Sequence, residues 1–286
     1  RSSDLGLNES IVEEAALAWF DELGYVRRSG GDVSPEGAEP RDGYGQSYLA
    51  GRLRDALGRL NPGVSAEGIE EAYRRLTRIS SPQPLDANRE LHHYLVNGVS
   101  VEYLRGDGSV GYDPVRVIDF DEPEQNDWLV VNQLTVVESG HTRRPDIVVF
   151  VNGLPLAVIE LKNAASENAT IWAAFQQLQN YKSELPSLFV FNELLVISDG
   201  LEARIGTLSS NRERFLPWRT IADETPASPT ISQLEVLIRG VFDKRRFLDL
   251  IRHFIVFEDD GDTVVKKMAA YHQFHAVGKA LQATLA

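Results

Sequence analysis

Apolar residues recur at helical spacing along the first hundred positions, and then the period changes. "NESIVEEAALAWFDELGY" (8–25) is amphipathic: Asn8 or Ser10 can cap it, acids fill its first turn, and Gly24 follows its end. Residues 27–45, rich in Gly, Pro and Asp, read as a loop. "SYLAGRLRDALGRLN" then sets Leu49, Leu53, Leu57 and Leu60 on one stripe, "SAEGIEEAYRRLTRI" repeats the pattern, and residues 86–97 make a fourth helix. "VSVEYL", "VRVIDF" and "DWLVVNQLTVVES" turn to β-branched and aromatic residues separated by turn formers, as strands require. Helical spacing returns in "NATIWAAFQQLQNYKSEL" (168–185), on the stripe Ile171, Phe175 and Leu178. "LFVF", "LLVISDG" and "EARIGTL" read as strands again. A Pro- and Thr-rich linker (224–230) precedes two helices, "ISQLEVLIRGVF" and "RRFLDLIRHFIVF", then a polar turn and a final helix, "MAAYHQFHAVGKALQATL". This order predicts one α/β or α+β domain up to about residue 225.

Between strands and helix lies "RRPDIVVFVNGLPLAVIELKN" (143–163), two apolar runs about an Asn-Gly turn. Three charges, Asp146, Glu160 and Lys162, stand where a buried hairpin should carry none. Loop length decides which side chains share a face. A two-residue loop sets Asp146 opposite Ile159 and leaves Glu160 and Lys162 on the other face. A three-residue loop of Val151, Asn152 and Gly153 sets Asp146 opposite Val158. Asp146, Val148 and Phe150 then share a face with Leu154, Leu156, Val158, Glu160 and Lys162. Ile147, Val149, Val151, Ala157, Ile159 and Leu161 take the other. Both faces are apolar, so these are central strands covered on both sides. The three-residue loop is the preferred reading, because it gathers the charges at one end of one face.

Two carboxylates and an ammonium buried together are costly without compensation. Hard Mg²⁺ takes carboxylate oxygens, keeps several waters and is shared with a phosphate. Lys162 beside it would orient or help deprotonate a water, or neutralise charge on a phosphorane. These parts make a metal-assisted phosphodiester hydrolase. The competing reading is an ion-pair cluster at a strand end. In the next helix Gln177 and Tyr181 are four apart and share a face, where they would hold a DNA backbone or base near the metal.

Composition narrows the choice. The absence of cysteine excludes disulfides, thiolate nucleophiles and Cys-ligated zinc, and fits an intracellular, cytoplasmic protein. No apolar run is long enough to span a bilayer, and the N-terminus lacks a signal-peptide pattern, so no membrane partner is expected. The net charge of −13 argues against a free-standing nucleic-acid binder. Basic residues nevertheless concentrate in "HTRR" (141–144), "NRERFLPWR" (211–219) and "DKRRFLDLIRH" (243–253), and local potential guides a polyanion more than net charge does. His92 and His93 point to different sides of a helix, and His272 and His275 lack a third ligand. The acidic run 258–262 lacks Ca²⁺-loop spacing. All of these read as structural or solvated.

An E-x-K triplet alone is nearly uninformative, and a Pro-Asp before it on an adjoining strand makes the combination moderately specific; "RPD…IELKN" resembles the PD-(D/E)xK nuclease signature. The long block "NDWLVVNQLTVVESGHTRRPDIVVFVNGLPLAVIELKN", with "AFQQLQNYKSELPSLFVFNELLVISDG", is similar to the R (restriction) subunit of type I restriction enzymes. The likeness continues through "DLIRHFIVFED" and "KKMAAYHQFHAV", over roughly residues 8–286. It implies a nuclease acting on double-stranded DNA, fused to an ATP-driven translocase and working with modification (M) and specificity (S) subunits. Carried over, Asp146 and Glu160 would bind Mg²⁺, Lys162 would be the catalytic lysine, and Gln177 and Tyr181 would match the family's Q-x-x-x-Y element. Glu14 lies where many such nucleases place a helix carboxylate near the metal, although a solvated first-turn acid is the ordinary role there. The motor's G-x-x-x-x-G-K-[ST] loop is absent: "AVGKAL" (276–281) has neither the first glycine nor the hydroxyl. "AAYHQF" (269–274) resembles the segment before the first helicase motif, where a Gln can read adenine.

The expected fold is α/β, a PD-(D/E)xK core with a mixed central sheet flanked by helices, followed by the start of a helicase motor. The nuclease domain would span 1–225, with its core at about 98–207 and a helical part at 8–97; residues 226–286 would lead into a truncated RecA-like motor. ATP hydrolysis would belong to the full-length subunit alone. Two other readings stay open: a free-standing repair or recombination nuclease of the same signature, and a non-catalytic module that docks partner subunits through helices 46–97 and 231–257.

Overall fold

The computed structural model describes residues 2–79, 81, 83–104, 108–112, 114–162, 170–259, 261 and 263–285, with side chains from residue 9 on. Four helices come first: α1 (Ser2–Glu22), α2 (Ala50–Leu60), α3 (Ala66–Thr77) and α4 (Pro84–Asn97). Gly24 closes α1 with a left-handed φ of 80°, and Ser65 caps α3 by accepting the Gly68 N–H. Six strands build the central sheet in chain order: β1 (Val26–Ser29), β2 (Trp128–Asn132), β3 (Ile147–Val151), β4 (Leu154–Leu161), β5 (Leu194–Ser198) and β6 (Ala203–Gly206). β1 runs parallel to β2 and β4 parallel to β5, while the other neighbours are antiparallel. The sheet is therefore mixed.

β2 to β5 are apolar on both faces because both are covered. One face, with Val148, Phe150, Val158, Leu195 and Ile197, packs against α5 (Ile171–Glu184) and α6 (Pro186–Val190) through Phe175, Leu178 and Leu188. The other, with Ile147, Val149, Ala157, Ile159 and Val196, packs against the larger helical layer. That layer includes α7 (Gln233–Val241) and α8 (Lys244–Phe254), capped by Ser232 and Asp243. Phe242 meets Phe20 of α1 at 5.1 Å between ring centroids, and the Tyr25 hydroxyl donates to the Phe242 carbonyl at 2.9 Å. Core packing thus carries on across the Pro- and Thr-rich stretch.

Several expected elements change identity, each for a tertiary reason. Val26–Ser29, its last three residues expected in a loop, is the edge strand beside β2; only one side of it is paired, so its sequence carries no apolar alternation. "LFVF" enters α6, which Pro186 starts at its first turn while Leu188 and Phe189 fill the core. "VSVEYL" forms two-residue ladders outside the main sheet. "DWLVVNQLTVVES" breaks at Gln133, whose φ is 54°, and its second half pairs with His141–Arg143. The helix expected through residue 257 stops at Phe254, where β7 (Ile255–Asp259) begins a hairpin with β8 (Val264–Met268). α9 (Tyr271–Leu285) follows, and Gln273 caps it by accepting the Ala270 N–H at 2.9 Å. Residues 168 and 169 of the expected fifth helix, and 260 and 262 of the acidic run, lie outside the described residues.

The β7–β8 hairpin is held by a buried charge. Lys266 is wholly enclosed, with its Nζ 2.8 Å from Glu193 Oε2 and 2.9 Å from both Asn88 Oδ1 and the Asn192 carbonyl. His92 Nδ1 reaches the same Glu193 oxygen at 3.0 Å. Burial works against charge on Glu193, yet Lys266 and His92 hold its carboxyl below the usual range. His92 is therefore a structural partner. Among the described residues no helix is long and apolar enough to cross a membrane.

Candidate active site

The β3–β4 hairpin gathers its charges through a turn and a bulge acting together. Val151 pairs with Leu154, so the loop is two residues long, Asn152 (φ 52°) and Gly153 (φ 79°), the left-handed pair of a type I′ turn. This corrects the three-residue loop expected from the sequence. Between Pro155 and Ala157 the register then shifts by one, a β-bulge in which Leu156 takes the extra position. Beyond it Val158 pairs with Val148 and Ile159 with Ile147, which brings Asp146 level with Glu160 rather than Val158. The turn alone would put the two carboxylates on opposite faces. The bulge restores parity and sets them side by side. Leu154 and Leu156, on the turn side of that shift, join the opposite core instead of sharing a face with Asp146.

Glu160 is wholly buried. Lys162 Nζ lies 2.9 Å from its Oε1, while Oε2 is buried with no hydrogen-bond partner among the described residues. Asp146, also buried, accepts the Leu161 N–H at 2.7 Å and faces Gln133 Nε2 at 3.3 Å. Burial pushes the Asp146 carboxyl up to about 6. Burial, and after it the charge of Asp146, push Glu160 up to about 8. For Lys162 burial opposes the charge, but the Glu160 carboxylate outweighs it and raises its pKa above the ordinary value. Glu9 Oε1 stands 3.9 Å from the same ammonium.

Of the adjacent acids on α1, the structure brings Glu13 to the site and turns Glu14 away. Glu14 is largely exposed and pairs with both terminal nitrogens of Arg27 on β1, at 2.6 and 2.5 Å. Glu13 accepts Asn132 Nδ2 at 2.7 Å and Gln133 Nε2 at 2.6 Å. About 100° of helix rotation separates neighbours, so only one of the two can face inward. Gln133 thus links Glu13 to Asp146 from a left-handed backbone position, a conformation that costs a non-Gly residue about 1–2 kcal/mol. Glu9 and Gln133 were not picked out from the sequence, and Glu13 figured there only as the acid next to Glu14; a further signal was the amide pair Asn132–Gln133 interrupting "LVVNQLTVV".

Gln177 and Tyr181 do share a face of α5, with Gln177 Nε2 donating to the Tyr181 hydroxyl at 2.6 Å. That hydroxyl lies 3.5 Å from the Arg144 carbonyl, two residues before Asp146. Burial, followed by the nearby Glu160 charge, holds the phenol well above its usual pKa. Tyr181 is therefore a neutral donor beside the acids. Among the described residues no group of three or more His, Asp or Glu side chains is arranged to hold a metal ion. The local donor set is two hard carboxylates with an ammonium beside them.

Comparison with known proteins places the whole constellation within one matched region. Residues 6–214 match the family described as "Type I restriction enzyme R protein N terminus". The type I restriction enzyme HindI endonuclease subunit of Haemophilus influenzae is 36% identical over 98% of this chain and 27% of its own length. A Methanocaldococcus jannaschii protein named for the type I restriction enzyme MjaIXP is 31% identical over 98% of this chain and 28% of its own. The type I restriction enzyme EcoprrI endonuclease subunit of Escherichia coli is 24% identical over 84% of this chain and 78% of its own. The chain spans about a quarter of the length of the first two relatives. With the matched region covering most of α1, the sheet and every residue of the charged cluster, the chain belongs to the type I restriction enzyme R protein N-terminal family.

Proposed function

We propose that this chain is the nuclease part of a restriction R subunit and hydrolyses phosphodiester bonds of double-stranded DNA at the Asp146–Glu160–Lys162 cluster. The observation that carries the reading is Glu160: a fully buried carboxyl with one oxygen unpartnered among the described residues, set level with a second buried carboxyl by a bulge. A buried carboxylate pair is costly unless a cation or a proton compensates. Two hard oxygen donors suit Mg²⁺, which keeps waters and shares a phosphate. Asp146 and Glu160 would hold it, and when bound it would supply Lewis-acid stabilisation of the phosphoryl oxygens and a lowered pKa for a bound water.

The chain's own groups divide the remaining work. Lys162 keeps its proton beside Glu160, so it donates to a phosphate oxygen or an attacking water and balances developing negative charge. Gln133 and the Leu161 N–H fix the Asp146 carboxylate through both of its oxygens. Tyr181, neutral and aligned by Gln177, supplies an O–H toward the bound strand. The sheet with α5 and α6 serves as the PD-(D/E)xK core, and α9 leads toward a helicase-type motor. Cleavage follows ATP-driven translocation in a complex with M and S subunits. Plasmid cleavage by the complete enzyme with ATP and Mg²⁺, native against Lys162→Ala, tests this with ATP turnover followed in the same tubes. Cleavage lost with turnover retained supports it; cleavage retained makes the cluster structural.

A further inference from the structure

A second cluster shares the sheet face of the acids, two strands away. Glu160 on β4 pairs with Ile197 on β5, and Ile197 with Arg204 on β6. Paired residues point to one side, and two strand spacings separate Arg204 from Glu160 by about 10 Å. Beside Arg204 stands Trp172, in the first turn of α5. The Arg204 guanidinium carbon is 5.5 Å from the Trp172 ring centroid. The Arg212 carbon is 5.6 Å from the same ring and 5.7 Å from that of Phe175. One indole therefore holds two guanidiniums.

Their charges are poorly neutralised. Among the described residues Arg204 has one carboxylate in reach, the half-exposed Glu202 at 3.6 Å, and its Nε is buried without a hydrogen-bond partner. Arg212 is exposed, and no ion pair to it is found among the described residues. This contrasts with Arg27, Arg52 and Arg143, each tied to acids at 2.5–2.8 Å. In a chain of net charge −13, two under-neutralised cations held together against a ring make a place for an anion. Planar guanidiniums match phosphate in forked geometry, and an aromatic face beside them accommodates a sugar or base.

We propose that Arg204 and Arg212, braced on Trp172, bind backbone phosphates of the DNA strand whose scissile phosphate lies at Asp146, Glu160 and Lys162. This rests on the nuclease reading above and names the groups that set the strand's path. An offset of about 10 Å places the contact one or two phosphates from the scissile one. The basic stretch 211–219 thereby acquires a ligand.

The test uses the complete enzyme carrying native R subunit, Lys162→Ala, Arg212→Ala or Arg212→Lys, with plasmid cleavage normalised to ATP turnover at several KCl concentrations. Arg212→Ala should lower cleavage about tenfold and make the log–log salt slope shallower by about 1, the signature of one lost phosphate contact. Arg212→Lys should keep the slope and most of the rate. A native rate and slope in Arg212→Ala, or a slower rate with unchanged slope, overturns the assignment, the latter meaning that Arg212 acts only by packing on Trp172. Native cleavage by Lys162→Ala instead removes the nuclease reading, and this contact with it, whatever Arg212 does.

Discussion

Replacing Glu160 by Gln should stabilise the metal-free protein, and only at neutral to alkaline pH. Glu160 is wholly buried, and its carboxyl is raised from 4.5 to about 8 by burial and by Asp146. Between those values the native state keeps a proton that the unfolded chain releases. Stability is therefore full below about pH 4.5, falls as pH rises, and levels off above about pH 8. At 1.36 kcal/mol per pKa unit the loss is about 4 kcal/mol at pH 8 and approaches roughly 5 kcal/mol above it. Asp146 adds a loss of its own between 3.8 and about 6, though the repulsion it shares with Glu160 is counted only once. Glutamine keeps the shape and an oxygen that accepts from Lys162 but removes the charge, and the weaker hydrogen bond costs about 1 kcal/mol. The net gain is about 3 kcal/mol at pH 8, about 5 °C in Tm for a chain of this size, and under about 1 kcal/mol at pH 5. Scanning calorimetry in EDTA at both pH values measures it. Mg²⁺ should then raise the native Tm at pH 8 and leave Glu160→Gln nearly unmoved. Equal Tm values at pH 8, or one gain at both pH values, would refute the electrostatic account.

Two further changes probe the frame that holds the site. Lys266→Ala leaves Glu193 buried without its ammonium, and should cost about 3–5 kcal/mol in urea unfolding; a loss under about 1 kcal/mol would mean that His92 suffices. Gly153→Ala puts a Cβ at a φ of 79° and 2.6 Å from the Leu49 carbonyl oxygen, so about 2–4 kcal/mol should be lost. An unchanged denaturation midpoint would show that the turn can relax.

Much of the molecule is legible because periodicity and burial are properties of short stretches. The stripe Leu53–Leu57 declares α2, the stripe Phe175–Leu178 declares α5, and the two-sided apolar runs at 147–151 and 154–161 declare central strands. Asp146, Glu160 and Lys162 stand out for the same reason, as charges inside runs that solvent does not reach. What lies across from a residue is another matter. Leu156 carries no mark of the bulge that aligns the two carboxylates, because a bulge is a property of two strands in register. Glu13 and Glu14 are chemically alike, and only the seating of α1 against Asn132 and Gln133 separates them. Lys266 reads as one more surface lysine until β8 closes over Glu193. Side-chain chemistry and spacing along the chain set which groups are present and which segments bury them. Pairing across strands and helices, between residues far apart in the chain, set which groups meet, and there a one-residue shift reverses the outcome.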